Sequence, residues 1–455
     1  MAYLRRKIDA FLLQWKQDSA HKPLVVQGMR GIGKAESIRH FAQGNYESVV
    51  EINFAREEAY KTITLDGADI EEILHAIVKI DPGQKFLPGK TLVFFNEIQE
   101  FPGIAALLRS FSADPRYDVI CSGSYLGVHY RKKKKTPSAS GTGPGPLVPY
   151  KQDYSMHSMD FEEFLWAFGC KDDDVQKMLR HMKSLQPFSE EDLKYYSDFF
   201  LKYCVLGGMP AVVSAYLERE NFHEAFVLQR QLLSAYEEDI RKYAGALDTD
   251  KLLRVWHSIP VQLSKTNKKF QFSAISSTAR AREYSGCVEW LKRSGLVSTC
   301  RFIEYPKLPL RSDASRFKLF FTDTGLLSAC FGDEAQEEVL GTCELGIREG
   351  ALCENLISEA LKKQGLSLYC YRRENSRLAL DFFLRLQKEL LPLEVKAVGN
   401  NTKSLSTVIK SEKYPDIQHG IRFSSGNIGV KDNILSFPYF CAFLLKRVFY
   451  WSSLS

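Results

Sequence analysis

Short apolar runs alternate with helical patterns in the first third of the chain and predict a layered α/β domain. The runs lie at Leu24–Val26, Ser48–Phe54, Thr91–Gln99 and Asp118–Ser124. Apolar runs of this length that are bounded by turn residues are typical of buried strands. Between them apolar residues recur at helical spacing, so strands and helices alternate. This order predicts a parallel sheet with helices on its faces.

Between residues 160 and 245 the pattern is helical throughout. Apolar residues recur at the i, i+3, i+4 positions of amphipathic helices. The sequence Gly207-Gly208-Met209-Pro210 interrupts this pattern, and proline suits the first turn of the helix that follows. We therefore expect a helical region that is broken at this point.

Residues 250–330 predict three helices followed by two strands, which is the order of a winged helix. The predicted helices cover 250–257, 273–280 and 282–293, and the predicted strands cover 296–303 and 317–322. In a winged helix the third helix enters the major groove of DNA. Its outward residues here carry both charges, as in Arg282, Glu283 and Lys292. DNA contact and docking to another protein therefore both stay open.

The last hundred residues predict an amphipathic helix and a set of strands. The predicted helix covers 349–363, and the predicted strands cover 367–371, 380–384 and 391–396. Asp381 lies on the second of these strands, and Glu394 and Lys396 lie on the third. This spacing is the layout of the PD-(D/E)XK nuclease core.

In that layout two carboxylates on a hairpin hold a divalent metal ion, and a lysine positions water or stabilises charge. Asp381 and Glu394 would be the carboxylates, and Lys396 would be the lysine. The helical Glu354 would complete the metal site. A vestigial nuclease fold that serves structure or grips nucleic acid is the alternative.

The composition is that of a globular protein with several domains. The chain has 455 residues, of which 45% are hydrophobic and 25% charged, and its net charge is +6. Its ten cysteines are scattered, as in cytoplasmic proteins with reduced thiols. The N-terminus does not read as a signal peptide, and the most apolar late run, 434–445, is too short to cross a bilayer. We expect a cytoplasmic protein without a membrane partner.

Residues 24–36 combine a strand, a glycine-rich turn and the start of a helix. Gly28, Gly33 and Lys34 have the spacing G-x-x-x-x-G-K of a phosphate-binding loop. In such a loop backbone N–H groups surround phosphate oxygens, and the lysine reaches the β- and γ-phosphates. Ala35 stands where a Ser or Thr would place a hydroxyl on Mg²⁺. An ordinary strand–turn–helix is the alternative.

The third strand ends in Asn96-Glu97, where Walker B strands carry two acidic residues. The first carboxylate of such a pair orients Mg²⁺, and the second polarises the attacking water. Glu97 is therefore a candidate base, whereas Asn96 supplies an amide in place of a charge. At the end of the fourth strand, Ser122 or Ser124 would lie beside the γ-phosphate.

Together these motifs resemble the prokaryotic AAA-type ATPases whose P-loop domain precedes a C-terminal domain of unknown function. The resemblance rests on the loop at 28–35, Phe-Phe-Asn-Glu-Ile-Gln-Glu at 94–100, Cys-Ser-Gly-Ser at 121–124, Ser-Met-Asp-Phe-Glu-Glu-Phe-Leu-Trp-Ala at 158–167 and Leu-Gly-Gly-Met-Pro-Ala-Val-Val at 206–213. It covers nearly the whole chain. It implies an α/β fold: a P-loop NTPase with an AAA-like parallel sheet, a helical lid, a winged helix and a C-terminal nuclease-like α/β domain.

The chain departs from the pattern of this family at functional positions. The family loop resembles G-x-R-R-x-G-K-[ST], and its strand ends Asp-Glu, whereas this chain has Gly31, Ala35 and Asn96. The family also has Glu-x-Asp-Phe where this chain has Ala379. Ala35 and Asn96 both affect Mg²⁺, which needs near-octahedral oxygen ligation. We therefore expect ATP to bind, Mg²⁺ to bind weakly at the loop, and hydrolysis to be weak or absent.

The motifs and the resemblance assign roles to particular residues. Nucleotide contacts are expected from Gly28, Arg30, Gly31, Gly33, Lys34, Ala35, Asn96 and Ser122. Catalytic roles are expected for Glu97, Asp381, Glu394 and Lys396, and metal ligation for Glu354, Asp381 and Glu394. The basic run Arg131–Lys135 opens a low-complexity segment, 131–146, that we interpret as a solvated loop. Arg131 is the candidate for an arginine finger.

The predicted domains are a nucleotide domain at 1–158, a helical lid at 159–247, a winged helix at 248–335 and a nuclease-like domain at 345–450. The favoured function is ATP binding that biases the arrangement of the other domains, with DNA as a further partner of the winged helix. A metal-dependent nuclease gated by the P-loop domain and a catalytically silent DNA- or protein-binding scaffold are the alternatives. The sequence does not indicate an oligomeric state.

Overall fold

The computed structural model describes residues 3–63, 69–101, 103–124, 150–245, 247–342, 347–386, 389–396 and 403–449. The low-complexity segment, with Arg131, lies outside the described residues. The chain forms two units, Met1–His157 and Ser158–Ser455. No helix among the described residues is long and apolar enough to cross a membrane.

The first unit is built from strands that alternate with helices. Its helices are α1 (Lys7–Gln17), α2 (Lys34–Asn45), α3 (Ile70–Ile80) and α4 (Ile104–Ala113). Its strands are β1 (Leu24–Gln27), β2 (Ser48–Asn53), β3 (Thr91–Asn96), β4 (Asp118–Gly123) and β5 (Gln152–Ser155). The four strands predicted from the apolar runs are confirmed, and β5 is a strand that the sequence did not predict.

All strand pairs of this sheet are parallel, in the order β2-β3-β4-β1-β5. Every residue of β3 is buried, because helices cover both faces of a parallel sheet. Asn96 lies opposite Ser122 in the register, and Gln27 lies opposite Gly123. The carboxyl ends of β1, β3 and β4 therefore meet at one edge of the sheet, where the phosphate-loop motif begins.

The second unit begins with helices, as predicted for residues 160–245. The first five are α5 (Phe161–Ala167), α6 (Asp172–Ser184), α7 (Glu190–Leu206), α8 (Pro210–Arg219) and α9 (Phe222–Tyr243). The later helices are α10 (Thr249–Leu263), α11 (Ala281–Arg293), α12 (Thr324–Ala329), α13 (Asp333–Thr342), α14 (Ile347–Lys363), α15 (Lys403–Lys410) and α16 (Leu445–Phe449). Pro210 opens α8, as its fixed φ predicts.

One mixed sheet of eight strands runs through the second unit in the order β12-β13-β11-β10-β9-β8-β6-β7. The strands are β6 (Val297–Ile303), β7 (Ser312–Phe321), β8 (Tyr369–Arg372), β9 (Ala379–Leu386), β10 (Glu389–Val395), β11 (Gly420–Ser424), β12 (Gly429–Lys431) and β13 (Ile434–Pro438). The hairpin β6–β7, predicted as the wing of a winged helix, pairs through β6 with β8. It therefore shares a sheet with the strands of the predicted nuclease-like domain.

Two predicted helix bounds in this region are wrong. The predicted helix at 273–280 is a single 3-10 turn, Phe272–Ala274. Conversely, α10 does not end before Pro260 but continues through it to Leu263. Proline costs a helical hydrogen bond, but Ile259 and Leu263 are fully buried on either side of it. Burial of this apolar face thus outweighs the local preference of proline.

A glycine turn joins α7 to α8 in close contact with another backbone segment. Gly207 has a φ of +70°, and the N–H of Gly208 donates to Asp323 Oδ2 at 2.9 Å. The N–H of Met159 donates to the carbonyl of Gly208 at 2.7 Å. A Cβ atom on Gly208 would lie 1.9 Å from the carbonyl oxygen of Met159. The turn therefore has no room for a side chain at this position.

We expect Gly208→Ala to destabilise the protein by at least about 2–3 kcal/mol, because the overlap is with backbone atoms that cannot rotate away. Gly341→Ala is the matched control, since that helical glycine has no neighbour within 4 Å of an added Cβ. Thermal unfolding of the full-length variants measures both effects. Equal unfolding temperatures for the two variants would contradict the expectation.

Candidate functional site

The phosphate-loop motif forms a tight turn between β1 and α2. Gly31 and Gly33 have φ values of +79° and +89°, which favour glycine. A Cβ atom on Gly28 would lie 2.4 Å from Ile32 Cδ1 and 2.4 Å from the carbonyl oxygen of Met156. Gly33 is the N-cap of α2, so the first N–H groups of this helix lack intrahelical acceptors. The loop therefore has the backbone form that a phosphate cradle needs.

Lys34 is buried in this loop, and no carboxylate of the described residues lies within ion-pairing distance of it. Its Nζ donates to the carbonyls of Gly28 at 3.1 Å and Met29 at 2.7 Å. Burial lowers the pKa of Lys34 to about 8, and the charge of Glu97 opposes this shift only in part. A buried ammonium that is satisfied by neutral carbonyls alone would be stabilised by an anion.

A buried arginine that the sequence analysis missed supports the loop from outside. Arg6 Nη1 donates to the carbonyl of Ile32 at 2.7 Å, and its Nη2 donates to the carbonyl of His157 at 2.7 Å. The rigid guanidinium fork ties the loop to the chain that follows β5. The local sequence does not distinguish the buried Arg6 from the exposed Arg5, because the two residues that Arg6 contacts are distant along the chain.

Asn96, at the end of β3, belongs to a buried polar network. Its Oδ1 accepts from Ser122 Oγ at 2.6 Å and from the N–H of Glu97 at 3.0 Å. Its Nδ2 donates to Glu51 Oε1 at 3.3 Å, and Arg39 binds both oxygens of Glu51 at 2.7 and 2.8 Å. Because the backbone N–H of Glu97 can face only an acceptor, the orientation of the amide is determined. The side-chain oxygen of Asn96 thus already accepts two hydrogen bonds from the protein.

Glu97 is held in an unusual backbone conformation beside this network. Its φ is +56°, which is uncommon for a residue other than glycine. Its carboxylate accepts from Gln99 Nε2, and Gln99 Oε1 accepts from the N–H of Ser124 at 3.1 Å. Gln99, to which the sequence analysis gave no role, thus ties the candidate base to the end of β4. Strained residues of this kind recur at functional sites.

In the second unit, two of the residues predicted to bind metal lie around a lysine. Glu354 Oε1, on α14, accepts from Lys318 Nζ at 2.5 Å, and its Oε2 accepts from Lys268 Nζ. Lys318 Nζ also lies 3.8 Å from Asp381 Oδ1. Although burial opposes ionisation, Lys268 and Lys318 lower the pKa of Glu354 to about 2. No group of three acidic, His or Cys side chains in the described parts of the chain is arranged to hold a metal ion.

Glu394 lies beside this group at the end of β10. Lys396 Nζ is 3.6 Å from its Oε1, whereas its Oε2 is buried without a hydrogen-bond partner. Burial raises the pKa of Glu394 to about 7, although Lys396 favours the ionised form. The N–H of Val395 donates to Asp381 Oδ2 at 2.9 Å. Asp381, Glu394 and Lys396 thus lie together on the hairpin, and their catalytic role stays a prediction.

Residues 20–165 match the family model of the AAA domain. The first unit contains an AAA-type P-loop domain. The rest of the chain matches two families that are described only as domains of unknown function, DUF8612 over residues 197–337 and DUF4143 over residues 349–440. No curated protein matches the chain.

Solved structures that are similar to this chain include a Walker-type ATPase of Pyrococcus abyssi. It is 14% identical, the alignment covers 72% of this chain and 96% of that chain, and the TM-score is 0.41. The Orc1 protein of Aeropyrum pernix in complex with DNA is 12% identical, with coverages of 74% and 95% and a TM-score of 0.29. Both TM-scores are low, so neither similarity bears on function.

The remaining loop residues of the AAA domain lie at its surface or at the start of α2. Arg30 and Gly31 are exposed at the tip of the loop, and Ala35 lies in the first turn of the helix. Ser37, two residues further on, accepts a hydrogen bond from the Tyr3 hydroxyl at 3.2 Å. Its hydroxyl is therefore engaged and does not replace the one that Ala35 lacks. The contacts of these residues with a nucleotide stay a prediction.

We expect Asn96→Asp to destabilise the AAA domain at pH 7. The new carboxylate would replace a donor that lies 3.3 Å from Glu51 Oε1 by a like charge. After solvent screening this repulsion amounts to about 1–2 kcal/mol. In the double variant with Glu51→Gln the cost should be smaller than the sum of the two single costs. Thermal unfolding of the full-length variants tests this, and strict additivity would show that repulsion is not the cause.

We expect Glu394→Gln to stabilise the second unit at pH 8 but not below pH 4.5. The pKa of Glu394 is about 7 in the folded state, raised from an ordinary value of 4.5. The folded state therefore binds more protons in this window, and stability falls as the pH rises through it. Gln removes this loss, for a gain on the order of 2 kcal/mol at pH 8.

Chemical unfolding of the full-length protein at pH 4.5 and pH 8 measures this gain. The exposed Glu412, changed to Gln, is the matched control and should show no such difference between the two pH values. A Glu394→Gln variant that is no more stable than the natural protein at pH 8 would refute the prediction.

Proposed function

We propose that the AAA domain binds ATP at the loop of residues 28–34 with little help from Mg²⁺, and that it hydrolyses ATP slowly or not at all. The observation that carries this proposal is the buried ammonium of Lys34, whose acceptors among the described residues are the carbonyls of Gly28 and Met29. The β- and γ-phosphates would replace these neutral acceptors by charged ones, which form stronger hydrogen bonds. The match of residues 20–165 to the AAA domain supports a nucleotide as the anion.

The residues around the loop do not fit a tightly bound Mg²⁺ ion. Ala35 has no side-chain oxygen, and Oδ1 of Asn96 already accepts from Ser122 and from the N–H of Glu97. Mg²⁺ needs a near-octahedral set of oxygen ligands. The charge of the phosphates would therefore be balanced mainly by Lys34 and by the N–H groups at the start of α2.

Glu97 is the residue that would accept a proton from an attacking water. Its carboxylate accepts a hydrogen bond from Gln99, which supports an oriented carboxylate at this position. Hydrolysis of ATP depends more strongly on neutralising the charge that develops on the phosphates than on the base. We therefore expect a domain with such a carboxylate and a poor metal site to bind ATP and to hydrolyse it slowly.

The proposal does not extend to DNA binding or nuclease activity in the second unit. On α11, Glu289 pairs with Lys292 at 3.2 Å and with Arg293 at 2.9 Å, so one carboxylate offsets part of the positive charge of this helix. The carboxylates at Glu354 and Asp381 enclose a lysine. Neither arrangement favours these activities over a structural role.

Titration calorimetry of the full-length protein with ATP, in Mg²⁺ and in EDTA at pH 7, tests the proposal. We expect dissociation constants that agree within about threefold in the two buffers. Lys34→Ala should weaken binding at least about tenfold, because it removes the cation that faces the phosphates. Lys90→Ala, at a lysine whose side chain is 58% exposed, is the matched control.

The pH dependence of binding provides a check on the role of Lys34. Phosphates stabilise the protonated lysine, so binding takes up a proton once the pH exceeds the pKa of about 8 in the free protein. The affinity of the natural protein should fall by up to about tenfold between pH 7 and pH 9. Absence of any heat with ATP in both buffers would reject nucleotide binding, and binding only with Mg²⁺ would reject the weak metal dependence.

A further inference from the structure

Lys318 extends from the edge of the eight-stranded sheet across its neighbouring strands. It lies on β7 opposite Cys300 of β6, and Cys370 lies on the next strand, β8. Both thiols are fully buried, and both interact with the charge of Lys318. Cysteine is small, so these two side chains leave space for the long lysine stem to reach β9.

The ammonium of Lys318 ends between carboxylates from two different elements. It lies 2.5 Å from Glu354 Oε1 on α14 and 3.8 Å from Asp381 Oδ1 on β9. Although burial opposes its charge, Glu354 and then Asp381 raise the pKa of Lys318 above its usual value. A second lysine, Lys268, binds the other oxygen of Glu354 and the carbonyl of Gly350 at 3.0 Å. Glu354 is therefore saturated by ammonium groups.

A third carboxylate lies beside Asp381 with one oxygen unused. Glu394 is 2% exposed, and its buried Oε2 has no hydrogen-bond partner. Asp381 Oδ1 and Glu394 Oε1 also lie beyond hydrogen-bond distance of the nearest lysine, at 3.8 and 3.6 Å. Among the described residues, the carboxylates of Asp381 and Glu394 are thus less fully satisfied than that of Glu354.

We propose that the ammonium of Lys318 is a built-in cation that takes the position of a divalent metal ion between Glu354 and Asp381, so that this cluster works without metal. The proposal is independent of nucleotide binding by the AAA domain. An ammonium supplies hydrogen bonds in fixed directions and a single charge, and it cannot bind or polarise a water as a metal does. The cluster therefore serves to join β7, β9 and α14.

The charges of the cluster support this assignment. Three lysines face three carboxylates: Lys268, Lys318 and Lys396, and Glu354, Asp381 and Glu394. The charges balance when all three carboxylates are ionised, and any protonation of Glu394, whose pKa is about 7, leaves the set positive. A divalent ion would therefore add at least two uncompensated positive charges in a buried place, which is strongly unfavourable. It would also need to approach both carboxylates within about 2.0–2.6 Å, and the ammonium lies between them, 2.5 Å from Glu354 Oε1 and 3.8 Å from Asp381 Oδ1. Metal can enter only if Lys318 leaves.

Mn²⁺ binding to the full-length, nucleotide-free protein tests the proposal, with free Mn²⁺ measured by electron paramagnetic resonance. Lys318→Met keeps the length of the stem and removes the ammonium. It should bind Mn²⁺ at least about tenfold more tightly than the natural protein, and Mn²⁺ should raise its unfolding temperature. Lys268→Met is the matched control, because it removes a lysine from Glu354 but leaves Lys318 between the carboxylates. It should show no such gain.

Three further variants keep the test decisive. Adding Asp381→Asn to Lys318→Met should abolish the gained site, and Lys318→Gln provides a second uncharged side chain if the methionine variant does not fold. Asp381→Asn alone should bind as much Mn²⁺ as the natural protein. The proposal is overturned if a folded Lys318 variant gains no Mn²⁺ binding, or if the natural protein binds Mn²⁺ at a site that Asp381→Asn removes.

Discussion

The free energy of a buried ammonium group is the constraint on which the candidate nucleotide site depends. Lys34 lies inside its loop with two carbonyls as acceptors, and burial lowers its pKa to about 8. A buried ammonium group is stabilised when an anion binds to it, and without an anion burial favours the loss of its proton. The glycines at positions 28, 31 and 33 let the backbone close around this group. The burial of the Lys34 ammonium and the conformation of the loop therefore both favour the binding of an anion.

A second buried ammonium, Lys318, shows the opposite solution within the same chain. Its partners are the carboxylates of Glu354 and Asp381, and they raise its pKa instead of lowering it. The charge of Lys34 therefore faces neutral acceptors, whereas the charge of Lys318 is balanced by carboxylate side chains. The two lysines thus differ in how their charge is balanced, although both lie among residues known from enzyme motifs.

Local patterns predicted the parts of the fold that local interactions determine. The strand, loop and helix around Lys34 follow from apolar spacing and from the glycines of the loop, and they form one continuous segment, residues 24–45. The strand β5 was not predicted, because its residues Gln152–Ser155 are mostly exposed and its existence depends on pairing with the distant β1. The hairpin β6–β7 looked like a separate wing for the same reason, since its partner β8 begins many residues later.

In the candidate site too, the local sequence did not predict the contacts of single side chains with residues distant along the chain. Asn96 looked like a Walker B aspartate that had lost its charge, and the sequence offered no reason for the change. In the structure its amide is the one side chain at this position that can donate to Glu51 while accepting from Ser122 and from the N–H of Glu97. An aspartate would meet the first partner with a like charge. The amide at position 96 is therefore coupled to Glu51, a residue 45 positions earlier in the chain. The proposal that the domain binds a nucleotide without cleaving it rests on this amide and on a buried lysine with neutral acceptors.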